Sequence, residues 1–446
     1  MHIRRGTAIA AACAALLAGV SACGSTEGSS ESGVAAGPVQ LYGTDGNMIS
    51  SFGDEFDQPG TLRGMKGTTP MTPLTDDFKD RLKGVSPDLA DYVYSGETYD
   101  AVLMSAFAAE LAGSTKPTAI AEQLIGIPTG GTPCDTAKTC LALAKAGKDL
   151  AYRGVSMRSG GFTDAGEPSV ASYATLHFDG QDQLDEGKME FVGAGDETQT
   201  STKSVQPGTR GTTPASTGAP LKIGGLLPKT GDLKGAYPPM AAGAALAIKE
   251  VNAAGGVLGE DVVFVEGDDG TSAEVAKATV ESHVKDGVHV ILGAGASGIS
   301  TAVLPQVKAA GLVLFSPCNT ASSLTGADDG GLYFRTAPSD VMQGAALGDV
   351  ILRDGPKRIA IVARNDEYGS GLEENLRAAL DRSGVSGDNL LALTYDQPKD
   401  EAGNVDFAAG AEEIKSFKPD ALVLIGFAES ADVIKALMSA GVEFKH

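Results

Sequence analysis

Residues 288–320, VHVILGAGASGISTAVLPQVKAAGLVLFSPCNT, decide the fold. The β-branched and apolar run at 288–292 predicts a strand that is buried on both faces. A glycine-rich turn and a helical stretch follow, and a second apolar run at 312–315 predicts the next strand. Ligands of open α/β sheets bind at the carboxyl ends of such strands. Because a helix N-terminus and free backbone amides favour negative charge, we expect a carboxylate or small-anion site there.

The turn at 293–298 reads GAGASG and therefore also matches the fingerprint of a dinucleotide site. That fingerprint requires an acidic residue about 20 positions further on, which holds a ribose hydroxyl. The corresponding region here reads Leu314-Phe315-Ser316-Pro317 and contains no carboxylate. We therefore favour the anion site over a nucleotide cofactor and predict no cofactor, with a purely structural turn as the remaining alternative.

The N-terminus has the features of an export signal. Arg4 and Arg5 precede an apolar run at 7–20, which ends in Val20-Ser21-Ala22-Cys23 and resembles a bacterial lipoprotein box. The resemblance implies cleavage before Cys23 and a lipid on its thiol, whereas an ordinary secretory signal is the alternative. We assign residues 1–22 to the signal peptide and 23–38 to a flexible tether. The mature protein is expected outside the cytoplasm, bound to the cell membrane only through Cys23.

Composition narrows the possible partners. The net charge of −22 argues against nucleic acid and against electrostatic adhesion to anionic lipid. Cys134 and Cys140 lie in a loop rich in Pro, Gly and Thr, and outside the cytosol we expect them to form a disulfide. Cys318 would then remain unpaired. The histidines are scattered and two thiols are too few for a structural zinc site, so we predict no metal site.

From residue 221 onward, predicted strands and helices alternate in two series. Repeated βα units build parallel sheets with helices on both faces, so the two series predict a first lobe at 221–337 and a second lobe at 338–446. The second series stops where a further strand is due, while residues 39–42 form a strand that no helix precedes. The remaining segments are assigned to second-lobe closing elements (39–94), first-lobe closing elements (95–165), second-lobe or hinge strands (166–194) and a Thr/Ser/Gly/Pro-rich linker (195–220).

Residues 221–446 resemble the first two-thirds of a type 1 periplasmic binding protein, in the branch of the Leu/Ile/Val-binding proteins of ABC transporters. Residues 39–194 resemble its missing last third. The motifs that carry the resemblance are GLLP (225–228), TG (230–231), IKEVNAAGGV (248–257), SPCNT (316–320), YGSG (368–371), YGTDG (42–46), YDA (99–101) and GFT (161–163). The resemblance implies an α/β fold of two doubly wound parallel-sheet lobes with an interlobe cleft, in circularly permuted order.

The permuted order places the new ends at Val39 and His446. A flexible linker of roughly 25 residues has a root-mean-square span of about 25–30 Å, enough to join the family's original ends. The alternative is a swapped dimer, in which residues 39–194 complete the lobes of a neighbouring chain. We expect the intramolecular arrangement and hence a monomer.

The family implies capture of an amino acid, branched-chain or a related small polar solute, between the lobes by hinge closure and its delivery to the ABC transporter permease. A ligand sensor that signals through a partner is the alternative, although no kinase, transmembrane or DNA-binding segment accompanies the lobes. An enzyme is disfavoured, because no G-x-S-x-G elbow precedes a helix and no histidine lies near a candidate serine.

The resemblance also implies which residues bind the ligand. Ser297 and Thr320 match the family's carboxylate-binding hydroxyls, with Asn319 beside them, and each such bond is worth about 1.5–3 kcal/mol. Asp45 stands where relatives place an acid, more commonly glutamate, for the ligand's ammonium group. Capping of a helix or turn is the alternative role for Ser297 and Thr320, and turn formation is the alternative for Asp45.

Aromatic residues are expected to close the site. Tyr368 matches the aromatic side chain that covers the ligand in the family, and Phe427 lies near another position of this lid. Tyr237 and Tyr99 are expected to line the pocket for the ligand's side chain. Packing in the core is the alternative role for Tyr368.

Overall fold

The computed structural model describes residues 38–205, 219–398 and 404–446. The strands are β1 (Gln40–Gly43), β2 (Lys66–Pro70), β3 (Thr132–Cys134), β4 (Leu150–Tyr152), β5 (Val170–His177), β6 (Glu190–Gly195), β7 (Lys222–Leu226), β8 (Val263–Val265), β9 (Val290–Gly293), β10 (Val313–Ser316), β11 (Tyr333–Arg335), β12 (Ile359–Arg364), β13 (Leu390–Tyr395) and β14 (Ala421–Ile425). The helices are α1 (Asp76–Lys83), α2 (Ser95–Ala112), α3 (Pro117–Leu124), α4 (Ala137–Lys145), α5 (Tyr237–Ala253), α6 (Ala273–Lys285), α7 (Ser297–Ala310), α8 (Asp340–Arg353), α9 (Glu367–Arg382), α10 (Ala408–Phe417) and α11 (Ala431–Ser439).

The first sheet has the strand order β11-β10-β9-β7-β8, and all of its neighbouring strands are parallel. Its central strands β9 and β10 are fully buried, as the continuous apolar runs predict. Helix α2 is buried along almost its whole length and packs against α5, β9 and β10. Residues 95–112 therefore contribute to the layer that covers the first sheet.

The second sheet has the order β13-β12-β14-β1-β2-β5-β6. Strand β1 lies in its interior, parallel to β14 on one side, where Gln40 pairs with Ala421, and parallel to β2 on the other. The sheet is not parallel throughout, because β2–β5 and β5–β6 are antiparallel. Strands β5 and β6 follow each other without a crossover helix, and a direct connection of this kind is open only to antiparallel neighbours.

The described N-terminal and C-terminal segments lie side by side. Val39 forms a parallel bridge with Phe444. The Val39 amide donates to the Glu443 carbonyl at 2.7 Å, and the Lys445 amide donates to the Val39 carbonyl at 2.9 Å. The first strand of the chain is thus held by the last residues of the chain as well as by the sheet.

Several predictions concern residues outside the described ranges: the signal peptide, Cys23 and most of the tether and linker. Within the described ranges, no helix is both long and apolar enough to cross a membrane. The Sγ atoms of Cys134 and Cys140 are joined, at 2.15 Å, and Cys318 is a free, buried thiol. The overall architecture confirms an α/β fold built on two sheets with helices on their faces.

Candidate functional site

A small cavity lies where loops at the carboxyl ends of both sheets meet. Its empty volume is about 240 Å³, including its opening to solvent. It is lined by Asp45, Gly46, Tyr94, Leu233, Gly295, Ala296, Ser297, Cys318, Thr320, Tyr368 and Phe427. The structure therefore brings together five of the predicted ligand-binding residues: Asp45, Ser297, Thr320, Tyr368 and Phe427. The first sheet supplies residues 295–297, 318 and 320, and the second sheet supplies Asp45 and Phe427.

One wall of the cavity is suited to an anion. Ser297 is the first residue of α7, and its Oγ accepts hydrogen bonds from the Thr320 and Ala321 amides, each at 3.2 Å. The hydroxyl hydrogen of Ser297 is left to donate to a ligand. The Ile299 and Ser300 amides donate to the Ala296 carbonyl, whereas the Ser297 and Gly298 amides precede these bonds and lie at the positive end of the helix dipole. Together these groups form a donor-rich wall that can bind a carboxylate.

The opposite wall carries a buried acid. The Asp45 carboxylate accepts from the Tyr94 hydroxyl at 2.6 Å, the Tyr368 hydroxyl at 2.8 Å and Gln343 Nε2 at 2.6 Å. Burial raises the pKa of Asp45 above its usual range, and the three hydrogen bonds only partly oppose this. Burial and the nearby Asp45 raise the pKa of the Tyr94 phenol, which therefore stays a donor. This wall can bind an ammonium group.

Two stacked rings close one side of the cavity. The rings of Tyr368 and Phe427 have centroids 5.3 Å apart and an interplanar angle of 16°. The Arg364 guanidinium lies 4.6 Å from the Phe427 ring centroid and forms an ion pair with Asp232 at 2.9 Å. Asp232 lies between β7 of the first sheet and α5, whereas Arg364 ends β12 of the second sheet. The parts of the chain built on the two sheets are therefore in contact beside the cavity.

Three residues predicted to bind the ligand do not line this cavity. The Asn319 side chain donates to the Ala294 and Gly295 carbonyls at 3.1 and 2.8 Å, so it holds the loop after β9, and the prediction for Asn319 concerns its backbone. The Tyr99 hydroxyl donates to Glu250 at 2.5 Å, between helices α2 and α5. Tyr237 is partly buried at the start of α5, where its ring faces the Lys229 ammonium 5.5 Å away.

The sequence reasoning missed Tyr94 and the lining role of Cys318, which was expected only to remain unpaired. Tyr94 precedes α2 in a left-handed backbone conformation, with φ 59°, in a segment that no motif marks. Burial, followed by the nearby Asp45, raises the pKa of the Cys318 thiol well above its usual range. The thiol therefore stays protonated and contributes a small, weakly polar surface.

Further acidic side chains surround the cavity without lining it. Asp269 accepts from the Gly295 amide at 2.7 Å, and burial raises its pKa to about 7. Burial also raises the pKa of Glu97, on α2, to about 8. Among the described residues, no group of three His, Cys, Asp or Glu side chains is placed to hold a metal ion. The site is thus an acidic, buried chamber with a donor-rich wall on one side.

A family model described as "Periplasmic binding protein" matches residues 220–446, half of the chain. The chain therefore belongs to the periplasmic binding protein family, which confirms the family that the motifs predict.

Particular relatives are Leu/Ile/Val-binding proteins. The chain is 26% identical over 229 residues to the Leu/Ile/Val-binding protein homolog 3 of Brucella melitensis, covering 50% of this chain and 60% of the relative. It is 30% identical over 212 residues to the Leu/Ile/Val-binding protein BraC3 of Rhizobium johnstonii, covering 47% and 55%. The chain thus spans somewhat more than half the length of these relatives.

Solved structures include the branched-chain amino acid transporter substrate binding protein LivJ of Streptococcus pneumoniae with isoleucine. It is 23% identical with a TM-score of 0.42, covering 51% of this chain and 63% of that one. A solute binding protein of Rhodopseudomonas palustris in complex with benzoate is 22% identical, also with a TM-score of 0.42, covering 51% and 61%.

Glu97→Gln tests the acidity of the chamber. A carboxyl whose pKa is raised to about 8 is protonated when folded but ionised when unfolded, from about pH 4.3 upward. The free energy of unfolding of wild type therefore falls as pH rises to about 8. That of the variant should fall less, by an amount on the order of a few kcal/mol. Urea unfolding at pH 5 and pH 9 measures this change for each protein. A loss of stability that the substitution causes at every pH cancels when the two values are subtracted.

Glu413→Gln, at an exposed position of α10, is the matched control and should leave the pH dependence unchanged. Equal losses of stability in wild type and Glu97→Gln between the two pH values would show that Glu97 is ionised in the folded protein.

Proposed function

We propose that this protein is an extracytoplasmic solute-binding protein of an ABC transporter. It captures an amino acid between its two lobes and delivers it to the membrane permease. The observation that carries the proposal is the pairing of opposite walls in one small cavity. Ser297 and the α7 N-terminus offer donors for a carboxylate, and Asp45 offers an acceptor for an ammonium group. An α-amino acid carries these two groups on the same carbon atom.

The size and lining of the cavity favour a small aliphatic side chain. The cavity is small, because its empty volume is about 240 Å³ even with its opening to solvent included. Leu233, Ala296 and Phe427 supply apolar surface beside the charged walls. The names of the Leu/Ile/Val-binding relatives support a branched-chain amino acid or a related small polar solute. A carboxylic acid without a cationic group would leave Asp45 buried without a counter-charge.

Contacts across the cleft support capture by hinge closure. Besides the Arg364–Asp232 ion pair, the Ala428 amide donates to the Asp232 carbonyl at 3.2 Å. These contacts enclose the cavity, so the lobes must separate to admit a ligand. We assign no enzymatic activity to the site, because its thiol is held protonated and its acids face a binding cavity.

Asp45→Ala should weaken amino acid binding by roughly 2–5 kcal/mol, which corresponds to about 30-fold or more in Kd, because the ligand's ammonium group would be buried without its partner. Isothermal titration calorimetry with L-leucine, L-isoleucine and L-valine measures the loss.

Asp328→Ala, at an exposed aspartate, is the control and should bind like wild type. A loss below threefold would remove Asp45 from the site. Wild-type protein that binds none of the three amino acids would refute a branched-chain ligand.

We also propose that the fold is circularly permuted relative to its family. Three observations support this order: β1 lies between β14 and β2, Val39 adjoins Phe444, and the family match begins at residue 220. The strand that the second series lacks at its end is then the one that opens the mature chain.

A chain with residues 219–446 placed ahead of 38–205, joined by a short Gly/Ser linker, tests this order. It should fold to a monomer with the same amino acid affinity, because every strand pair of both sheets is retained. Size-exclusion chromatography at nanomolar concentration and calorimetry are the measurements. Elution of the wild-type protein as an obligate dimer would instead support the swapped arrangement.

We also propose that a lipid on Cys23 anchors the protein to the membrane. Cleavage before Cys23 and lipid on its thiol would tether the binding domain at the outer face of the membrane through a flexible segment. Cys23→Ser should move the protein from the membrane fraction to the soluble fraction of the expressing cells. Mass spectrometry that finds an unmodified Cys23, or a chain cleaved elsewhere, would contradict the anchor.

A further inference from the structure

A second carboxyl group lies behind Asp45. Asp340 is the first residue of α8 and is fully buried, and neither of its carboxyl oxygens makes a close hydrogen bond among the described residues, although the Thr320 hydroxyl lies near enough to lower its pKa. One turn further along α8, Gln343 Nε2 donates to Asp45 at 2.6 Å, while Gln343 Oε1 has no partner. The first turn of α8 thus carries Asp340 and the Gln343 amide, which bonds Asp45.

The nearest cation is already engaged. The Arg335 guanidinium forms an ion pair with Glu167, and it donates to the Ala321 carbonyl at 2.9 Å and to the Asn319 carbonyl at 3.3 Å. It is also within 2.9 Å of the Thr325 hydroxyl. Arg335 therefore lowers the pKa of Asp340 only through space, and no described ion pair includes Asp340.

The other groups that face the two acids are neutral. They are Tyr368 from α9, Tyr173 from β5, Tyr94 before α2, the Cys318 thiol and the Thr320 hydroxyl. Burial raises the pKa of each of these phenols and of the thiol, so they remain protonated. The charged pair Arg353–Glu190 lies where the far end of α8 meets β6.

Two neighbouring acids in such surroundings do not both ionise. A buried carboxylate without a partner is costly, and a second negative charge nearby adds repulsion. Burial raises the pKa of Asp340 well above its usual range, and the nearby Asp45 raises it further. The N-terminal position on α8 favours the ionised form, but this effect is modest and confined to the first turn. The two groups therefore titrate as a pair.

We propose that Asp340 and Asp45 act as one acid pair, which holds a shared proton in the ligand-free protein and releases it to solvent when a ligand's ammonium group binds. This inference rests on the proposed function, and it makes Asp340 a positioning residue that acts through Asp45. The O–H bond of the protonated carboxyl breaks, its proton passes to solvent water, and the electron pair stays on the carboxylate oxygen. The ammonium group brings its own protons and positive charge, and the proton of the pair leaves because the cation takes over its role.

The sign of the pH dependence follows from this exchange. At pH values at which the ligand-free pair still holds its proton, ligand binding must expel that proton. The affinity therefore rises by about tenfold for each pH unit, until the pair loses its proton even without ligand. Asp340→Asn removes the second acid and its negative charge, which lowers the pKa of Asp45, although burial still raises it. The affinity of the variant should therefore vary less with pH than that of wild type. A purely structural defect would weaken binding by the same factor at every pH.

Calorimetry with L-leucine between pH 5 and pH 8, in buffers of different ionisation enthalpy, counts the protons released. Wild type should release up to one proton per leucine and Asp340→Asn fewer, while Asp328→Asn, at an exposed position, should match wild type. Proton release that is equal in wild type and Asp340→Asn would overturn the acid pair.

A ligand-free measurement separates this inference from the proposed function. Because the folded pKa of Asp340 lies above the unfolded value, wild type should lose stability as pH rises through the titration of the pair, and Asp340→Asn should lose less. Thermal unfolding from pH 4 to pH 9 measures both. Identical pH profiles would overturn the pair, whereas failure of wild type to bind any amino acid would overturn the proposed function.

Discussion

The buried carboxylate of Asp45 is the interaction on which the site depends. Its three donors, Tyr94, Gln343 and Tyr368, come from segments that are far apart in the chain. A buried carboxylate is tolerated only when such donors are in place, because each unmet acceptor costs free energy in the interior. The loop after β1, the approach to α2, helix α8 and helix α9 are therefore fixed relative to one another by a single charge.

Strand β1 positions that charge. It lies in the interior of the second sheet, and the Asp45 loop leaves its carboxyl end beside the loop that follows β14. Leu41 and Tyr42 are buried, and the strand has neighbours on both sides, so the position of Asp45 is set by a rigid element. In the proposed permuted order, the residues nearest the N-terminus of the mature chain complete both a sheet and a ligand site.

The sequence predicts the site residues that lie in a recognisable local motif, and it does not predict those that long-range packing brings to the site. Ser297 and Thr320 belong to short loops directly after buried strands, and the sequence identifies such loops by itself. Asn319 belongs to the same turn, yet its amide bonds two carbonyls of the neighbouring loop, a distinction that only coordinates reveal. Tyr94 and Asp340 reach the site through the packing of α2 and α8 across the lobes. No periodicity or motif encodes that register, and the antiparallel pairing of β2, β5 and β6 was missed for the same reason.

Closure of the lobes and charge in the cleft are energetically linked. Closing excludes water from Asp45 and Asp340, which raises the cost of ionising them, while the contacts between Arg364 and Asp232 favour the closed form. A ligand that supplies a cation removes part of this cost, and it does so only when the lobes are closed around it. Such a ligand binds the closed form more tightly than the open one, which is the condition for a ligand to shift a conformational equilibrium. The electrostatics of one acid pair thus favour the form that is closed on an amino acid.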